Sequence, residues 1–129
     1  MTSIDRHPGP ERYDLMREKT VEQKLVKAVK NRDGICPKLV CPGFDGMPDR
    51  LVLLPDGKVG FVEVKAPGEK PRPLQVSRHN LLRGLGFQVF TLDDITAIPR
   101  MLDEIGGKHR MVSSHEAGQI GVITGRDSR

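Results

Sequence analysis

Two short apolar runs, Leu51 to Leu54 and Val59 to Val64, are rich in branched residues and flank the turn residues Pro55-Asp56-Gly57. That pattern predicts a β-hairpin with one buried face. Ahead of it, Thr20-Val21-Glu22-Gln23 has the form of a capping box and opens a helix running to about Asn31, before Gly34, with Val21, Leu25, Ala28 and Val29 as its buried stripe. Cys36 to Val40 reads as the first strand. A second helix is expected from about Leu74 to Arg83, ending near Gly84 and Gly86. Leu74, Leu81 and Leu85 would supply its core side, while Gln75, His79 and Leu82 follow one another along another face. Gln88 to Leu92 reads as the last core strand. Asp93-Asp94 then starts a helix through about Ile105, packed through Ile95, Ile98, Met101, Leu102 and Ile105, with Pro99 as a point of kinking. The order is αβββαβ followed by a C-terminal helix, an α/β arrangement with a mixed sheet flanked by helices.

At 129 residues this is one domain with a single modest core. Residues 1–17 read as a flexible leader, because Pro8, Gly9 and Pro10 oppose an early helix. Glycines, serines and charges make 106–129 read as a flexible tail, in which 119–124, QIGVIT, can add a strand in an oligomer. Residues 18–105 hold the domain itself, and no internal repeat is visible. No apolar run reaches membrane-span length and MTSIDRHPGP lacks a signal-peptide core, so a cytoplasmic location is the default expectation. The formal charge of +4 suits a polyanionic partner without establishing one. Cys36 and Cys41 are expected reduced. With His7, His79, His109 and His115 scattered, they do not make a zinc site.

The hairpin carries the chemistry. Asp49 opens one strand and Glu63 nearly closes the other, so antiparallel pairing can bring the two carboxylates to one end of the sheet. Like charges repel there, and Mg²⁺ or Mn²⁺ bridging them removes the repulsion. Lys65, two residues after Glu63, leaves on the same face. Asp49 shares the Glu63 face only in certain registers, which requires an odd-length loop or a bulge at Gly57 or Gly60. The competing reading has Asp49 capping a turn and Glu63 pairing with Lys65 or a neighbour.

Around that core the readings divide. Glu22 either points along the sheet edge toward the metal or is a solvated first-turn acid. Gln75 can reach the site from the first turn of its helix or be a partly exposed cap, and His79 can contact DNA or be solvated. Lys38 points toward the site or into solvent. The segment Ala66 to Pro73, with three prolines in eight residues, is a connector or a semi-rigid lip that holds Lys70 and Arg72 against a phosphate backbone. Arg50, Lys70, Arg72, Arg78 and Arg83 are the candidates for contacts to the backbone of a polyanion.

The run Pro42-Gly43, Gly46-Met47-Pro48-Asp49-Arg50, Phe61-Val62-Glu63-Val64-Lys65, Pro73-Leu74-Gln75 and Leu85-Gly86-Phe87 resembles the PD-(D/E)xK nuclease superfamily, specifically its virus-type replication-repair nuclease (VRR-NUC) branch. The likeness covers roughly Glu18 to Ile105. It implies a restriction-endonuclease-like fold and metal-dependent hydrolysis of DNA phosphodiesters. Asp49, Glu63 and the Val64 carbonyl would hold Mg²⁺ or Mn²⁺, and the family's helical glutamate, matched by Glu22, would extend the site. Lys65 would position water and stabilise the transition state, with Gln75 orienting one or the other. Stand-alone members of this branch resemble phage-type homodimeric resolvases that cut four-way junctions, whereas the larger Fanconi-associated nuclease uses further domains to reach flaps. The alternatives are a flap-type nuclease, a non-cleaving DNA-binding or assembly module on the same fold, and a restriction-type enzyme, for which no base-reading surface is found.

Overall fold

The computed structural model describes residues 10–107, with side chains described from Met16 onward. Helix α1 spans Pro10–Lys30, strand β1 Arg50–Leu54, strand β2 Lys58–Val64, helix α2 Pro73–Gly84 and strand β3 Gln88–Leu92. A 3₁₀ turn at Ile95–Ala97 leads into helix α3, Ile98–Gly106. The sheet order is β1-β2-β3, with β1 antiparallel and β3 parallel to the central β2. The parallel pair requires a crossover, and α2 supplies it.

The hairpin has the required odd loop. Leu54 pairs with Lys58 and Arg50 with Val62, leaving Pro55, Asp56 and Gly57 as a three-residue connection. Asp56 and Gly57 both take positive φ, 68° and 72°, which a glycine and a short polar residue tolerate best. Continuing the register one step sets Asp49 across from Glu63, so the two share a face. No bulge occurs at Gly60. Its role is room: a Cβ there would come within 2.5 Å of Ile105 Cδ1, so the bare backbone lets α3 settle on the centre of the sheet.

Strand alternation divides the molecule. Val52, Leu54, Val62, Val64 and Leu92 face one way, into a core with Val21, Leu25 and Val29 of α1 and Ile98, Met101, Leu102 and Ile105 of α3. Glu63, between Val62 and Val64, therefore faces the other way, toward α2. Each fully buried aliphatic side chain in that core stabilises the fold by roughly 1.5–3 kcal/mol. No helix among the described residues is long and apolar enough to cross a membrane.

Four expectations change. Helix α1 begins at Pro10, so 10–17 are helical rather than a leader; a proline at the first helical position has no N–H to waste. The strand expected at Cys36 to Val40 reduces to isolated bridges, Ile35 with Leu53 and Lys38 with Arg50, leaving three strands in the order αββαβ before the C-terminal helix. The cause is Pro37. Its carbonyl accepts from Leu51 N and the ladder resumes at Leu39 N to Asp49 O, but proline has no N–H to return. Pro99 does not kink a helix; it lies in the first turn of α3, after Asp94 caps the 3₁₀ turn, and Ile95 is exposed. Lastly, α2 is turned over. Leu74, Leu81 and Leu85 are exposed, and the buried residues are Gln75, His79 and Leu82. The proposed strand at 119–124 and His7, His109 and His115 lie outside the described residues.

Candidate active site

The site forms where the hairpin opens. Asp49 Oδ1 accepts from the Val64 backbone N–H at 3.1 Å. Because the N–H and C=O of one strand residue leave on the same side, the Val64 carbonyl also faces Asp49. Lys65 N, one residue on, donates to Leu92 O in the opposite direction, as the alternation requires.

Glu63 is only 4 % exposed. Its Oε2 accepts from Gln75 Nε2 at 2.8 Å and lies 3.5 Å from Lys65 Nζ. Its Oε1 has no hydrogen-bond partner, and 3.9 Å away His79 Nε2, also buried, has none either. Burial, then the nearby Asp49, pushes the Glu63 carboxyl up to about 7, with Lys65 acting against the rise. Asp49 is also raised, mainly by burial; the Val64 N–H opposes that shift and Glu22 adds to it. Burial lowers His79 below the ordinary imidazole value, assisted by Arg83 and Lys65.

Helix α2 explains why polar residues occupy its inner face. Gln75 Oε1 accepts from Arg72 N at 2.8 Å, which closes the first turn and fixes the amide so that Nε2 must point to Glu63. His79 follows one turn later on the same face. The expectation of a solvated or DNA-contacting His79 gives way to a histidine 2 % exposed against Glu63.

On α1 a second carboxylate, with no role in the sequence reading, also bears on this chemistry. Glu18 has its carboxyl raised by burial and by the charges of Asp49, Glu69 and Glu22, while Lys65 lowers it. Placing the helix start at Thr20 removed Glu18 from the helix. Its spacing of four from Glu22, on one helical face, is the signal that would have found it. Glu22 itself is turned to Arg50, accepting from Nη2 at 2.7 Å and Nε at 3.0 Å, and Arg50 Nη1 donates to Cys36 O. Cys36 and Cys41 are both free thiols, and burial pushes Cys36 up to about 11.

Three of the five arginines and lysines expected at DNA are engaged elsewhere. Arg50 directly follows Asp49, so strand alternation sends it to the α1 face and into the Glu22 pair. Arg78 Nε donates to Asp45 O, and its guanidinium lies 4.0 Å from the centroid of the Phe44 ring. The loop comes this close because Gly46 has no Cβ, which would meet Leu74 and Arg78. Arg83 Nη2 donates to Val89 O and Nη1 to Asn80 Oδ1, covering the backbone of the outer strand. Lys70 and Arg72 are exposed on the loop leaving Lys65, where Glu69 and Asp93 tie down the backbone at Ala66 and Gly68. Lys38 is exposed.

Two carboxylates, a facing carbonyl and a buried carboxylate oxygen without a partner form an oxygen donor set that fits a hard divalent ion. Among the described residues no group of three or more His, Cys, Asp or Glu side chains closes into a cage by itself.

No protein-family model matches the chain. It is 52 % identical over 86 residues to "Putative nuclease p44" of Acyrthosiphon pisum secondary endosymbiont phage 1, covering 65 % of this chain and 92 % of that protein. Among solved structures it is similar to one described as a VRR_NUC domain, with 31 % identity and a TM-score of 0.64, covering 67 % of this chain and 95 % of the other.

Proposed function

The chain belongs to the VRR-NUC nuclease family, and from that premise we propose that it is a metal-dependent DNA endonuclease acting on branched DNA, with the four-way junction as its substrate. The observation that carries the reading is Glu63: a carboxylate buried beside Asp49 and Lys65, its pKa raised to about 7 and one oxygen unpartnered. A fold maintains so unfavourable a charge where function uses it.

Asp49, Glu63 and the Val64 carbonyl would hold Mg²⁺ or Mn²⁺, with Glu18, whose charge acts on Glu63, and Glu22, whose charge acts on Asp49, as the helical carboxylates that could extend the site. Bound there, the ion supplies charge neutralisation and an acidified water. Lys65 stabilises the charge that develops on the phosphoryl oxygens and positions the attacking water. Gln75 holds Glu63 by one oxygen and leaves the other available. Lys70 and Arg72 hold the substrate backbone from the adjoining loop.

A junction takes two incisions, so a homodimer with two matched sites is the assembly proposed. The exposed Leu74, Leu81 and Leu85 on the outer face of α2 are consistent with it. The phage relative suggests the cytoplasm of a phage-infected bacterium as the place of action.

The test incubates the protein with labelled four-way junction, flap and linear duplex in Mg²⁺ or Mn²⁺, with Lys65→Ala alongside. Junction cleavage by the unmodified protein alone is the expected result. Preferential flap cleavage replaces the resolvase reading with a flap nuclease, and binding without cleavage in every metal leaves a DNA-binding module.

A further inference from the structure

A groove of about 490 Å³ runs along α1. Lys19, Lys27 and Lys30 line its helical wall, and Lys38 and Arg50 stand on the other. Glu22 is its single acid, and the Arg50 guanidinium already holds that charge with two hydrogen bonds. The four lysines are exposed, and none has a hydrogen-bond or ion-pair partner among the described residues. A concave strip with four uncompensated ammonium groups is thus built into the fold.

Position gives the strip its meaning. Glu22 lines the groove and is close enough to Asp49 for its charge to raise that carboxyl, so the groove borders the candidate site. Before a cation binds, the charges of Glu18, Asp49 and Glu63 act on one another at the site with Lys65 opposing them, which disfavours a phosphate there. Attraction for a polyanion has to come from beside it. Arg50, Arg78 and Arg83 do not provide that attraction, because each is committed within the protein.

We propose that this groove holds the phosphodiester backbone of one strand of the DNA on which the site acts, a statement that rests on the nuclease reading above. Its length agrees. From Lys19 to Lys30 the helix rises about 16 Å at 1.5 Å per residue, a span long enough for one strand to present more than one phosphate to the lysines. Lysine ammonium groups are point charges that neutralise phosphate without the bidentate fork of arginine, so the track binds without reading sequence.

The experiment measures binding of the full chain to a labelled linear duplex by fluorescence anisotropy, in chelator so that nothing is cut, between 50 and 200 mM salt. Each lost phosphate contact lowers the slope of log K against log salt by about 0.9. The double variant Lys27→Gln/Lys38→Gln is expected to lower it by about 1.8 and to weaken binding roughly 60-fold at 0.1 M salt. Lys24→Gln/Arg100→Gln removes as much charge from exposed positions outside the groove and is expected to leave the slope unchanged. An unchanged slope in the groove variant, or an equal loss in both variants, overturns the proposal. Should the double variant melt early, Lys30→Gln alone tests the same point with an expected loss of about 0.9. Cleavage is scored separately with unmodified protein. A chain that never cuts but loses its salt slope keeps the groove and loses the nuclease, and one that cuts with its slope intact does the reverse.

Discussion

Replacing Glu63 by glutamine should stabilise the metal-free protein, and more so as the pH rises. Burial and Asp49 lift the Glu63 carboxyl from 4.5 to about 7, so the folded state favours the protonated form. The stability from that preference is fully present below pH 4.5 and is lost as pH climbs through 7. At 1.36 kcal/mol per tenfold difference in proton affinity, the loss is about 1 kcal/mol at pH 5 and about 3 kcal/mol at pH 8. With the side chain 5 % exposed, solvent screening removes little of it. Glutamine keeps the shape and the acceptor for Gln75 Nε2, and its amide can donate to His79, now without a partner. Urea unfolding of both proteins in chelator at pH 5 and pH 8 measures the difference. His79, whose lowered pKa makes stability fall as pH drops through the folded imidazole value, is present in both proteins, as are the raised Asp49 and Glu18. A gain of the same size at both pH values would refute the electrostatic account. A loss at pH 8 would show that Glu63 holds the fold together rather than straining it.

Three further outcomes follow from the same geometry. Lys65→Ala should reduce turnover by roughly 10²–10³-fold while its melting temperature stays close to that of the parent; an equal fall in both would make Lys65 structural. Added Mn²⁺ should stabilise the unmodified protein by about 2.7 kcal/mol at a hundredfold excess over Kd and leave Glu63→Gln unmoved, by thermal melting. Gly60→Val drives a Cβ into Ile105 and should cost about 1–3 kcal/mol or more in urea unfolding, with no change in the pH dependence set by Glu63.

What is legible in the sequence is what period and parity decide. The α1 and α3 stripes follow from helical spacing, and the three-residue turn follows from requiring Asp49 and Glu63 to share a face. Parity also contained a conclusion not drawn from it: Arg50, adjacent to Asp49 on a strand, has to leave on the opposite face, where α1 offers Glu22. The N–H that Pro37 lacks was visible as well, yet whether the ladder survives that gap depends on the loop that follows. Proline at the head of α1 read as a stop because position within a helix, not residue type, decides its effect. That error alone hid Glu18.

The turned-over α2 is the exception that bears on function. Burying leucine is the default because it removes apolar area from water, roughly 25 cal/mol per Å². Here three leucines stay outside while a glutamine and a histidine go in, so the inner face is set by something that outweighs that gain. Glu63 is that something. Once strand parity turns its carboxylate toward α2, a leucine face would leave Oε1 unpaired and Oε2 with Lys65 alone at 3.5 Å, a cost of roughly 1–3 kcal/mol or more for a charged group. Gln75 meets one oxygen and His79 stands 3.9 Å from the other. A helix that reverses its amphipathic order to attend a buried carboxylate still leaves one of its oxygens without a partner, and that oxygen is where the proposed cation would bind.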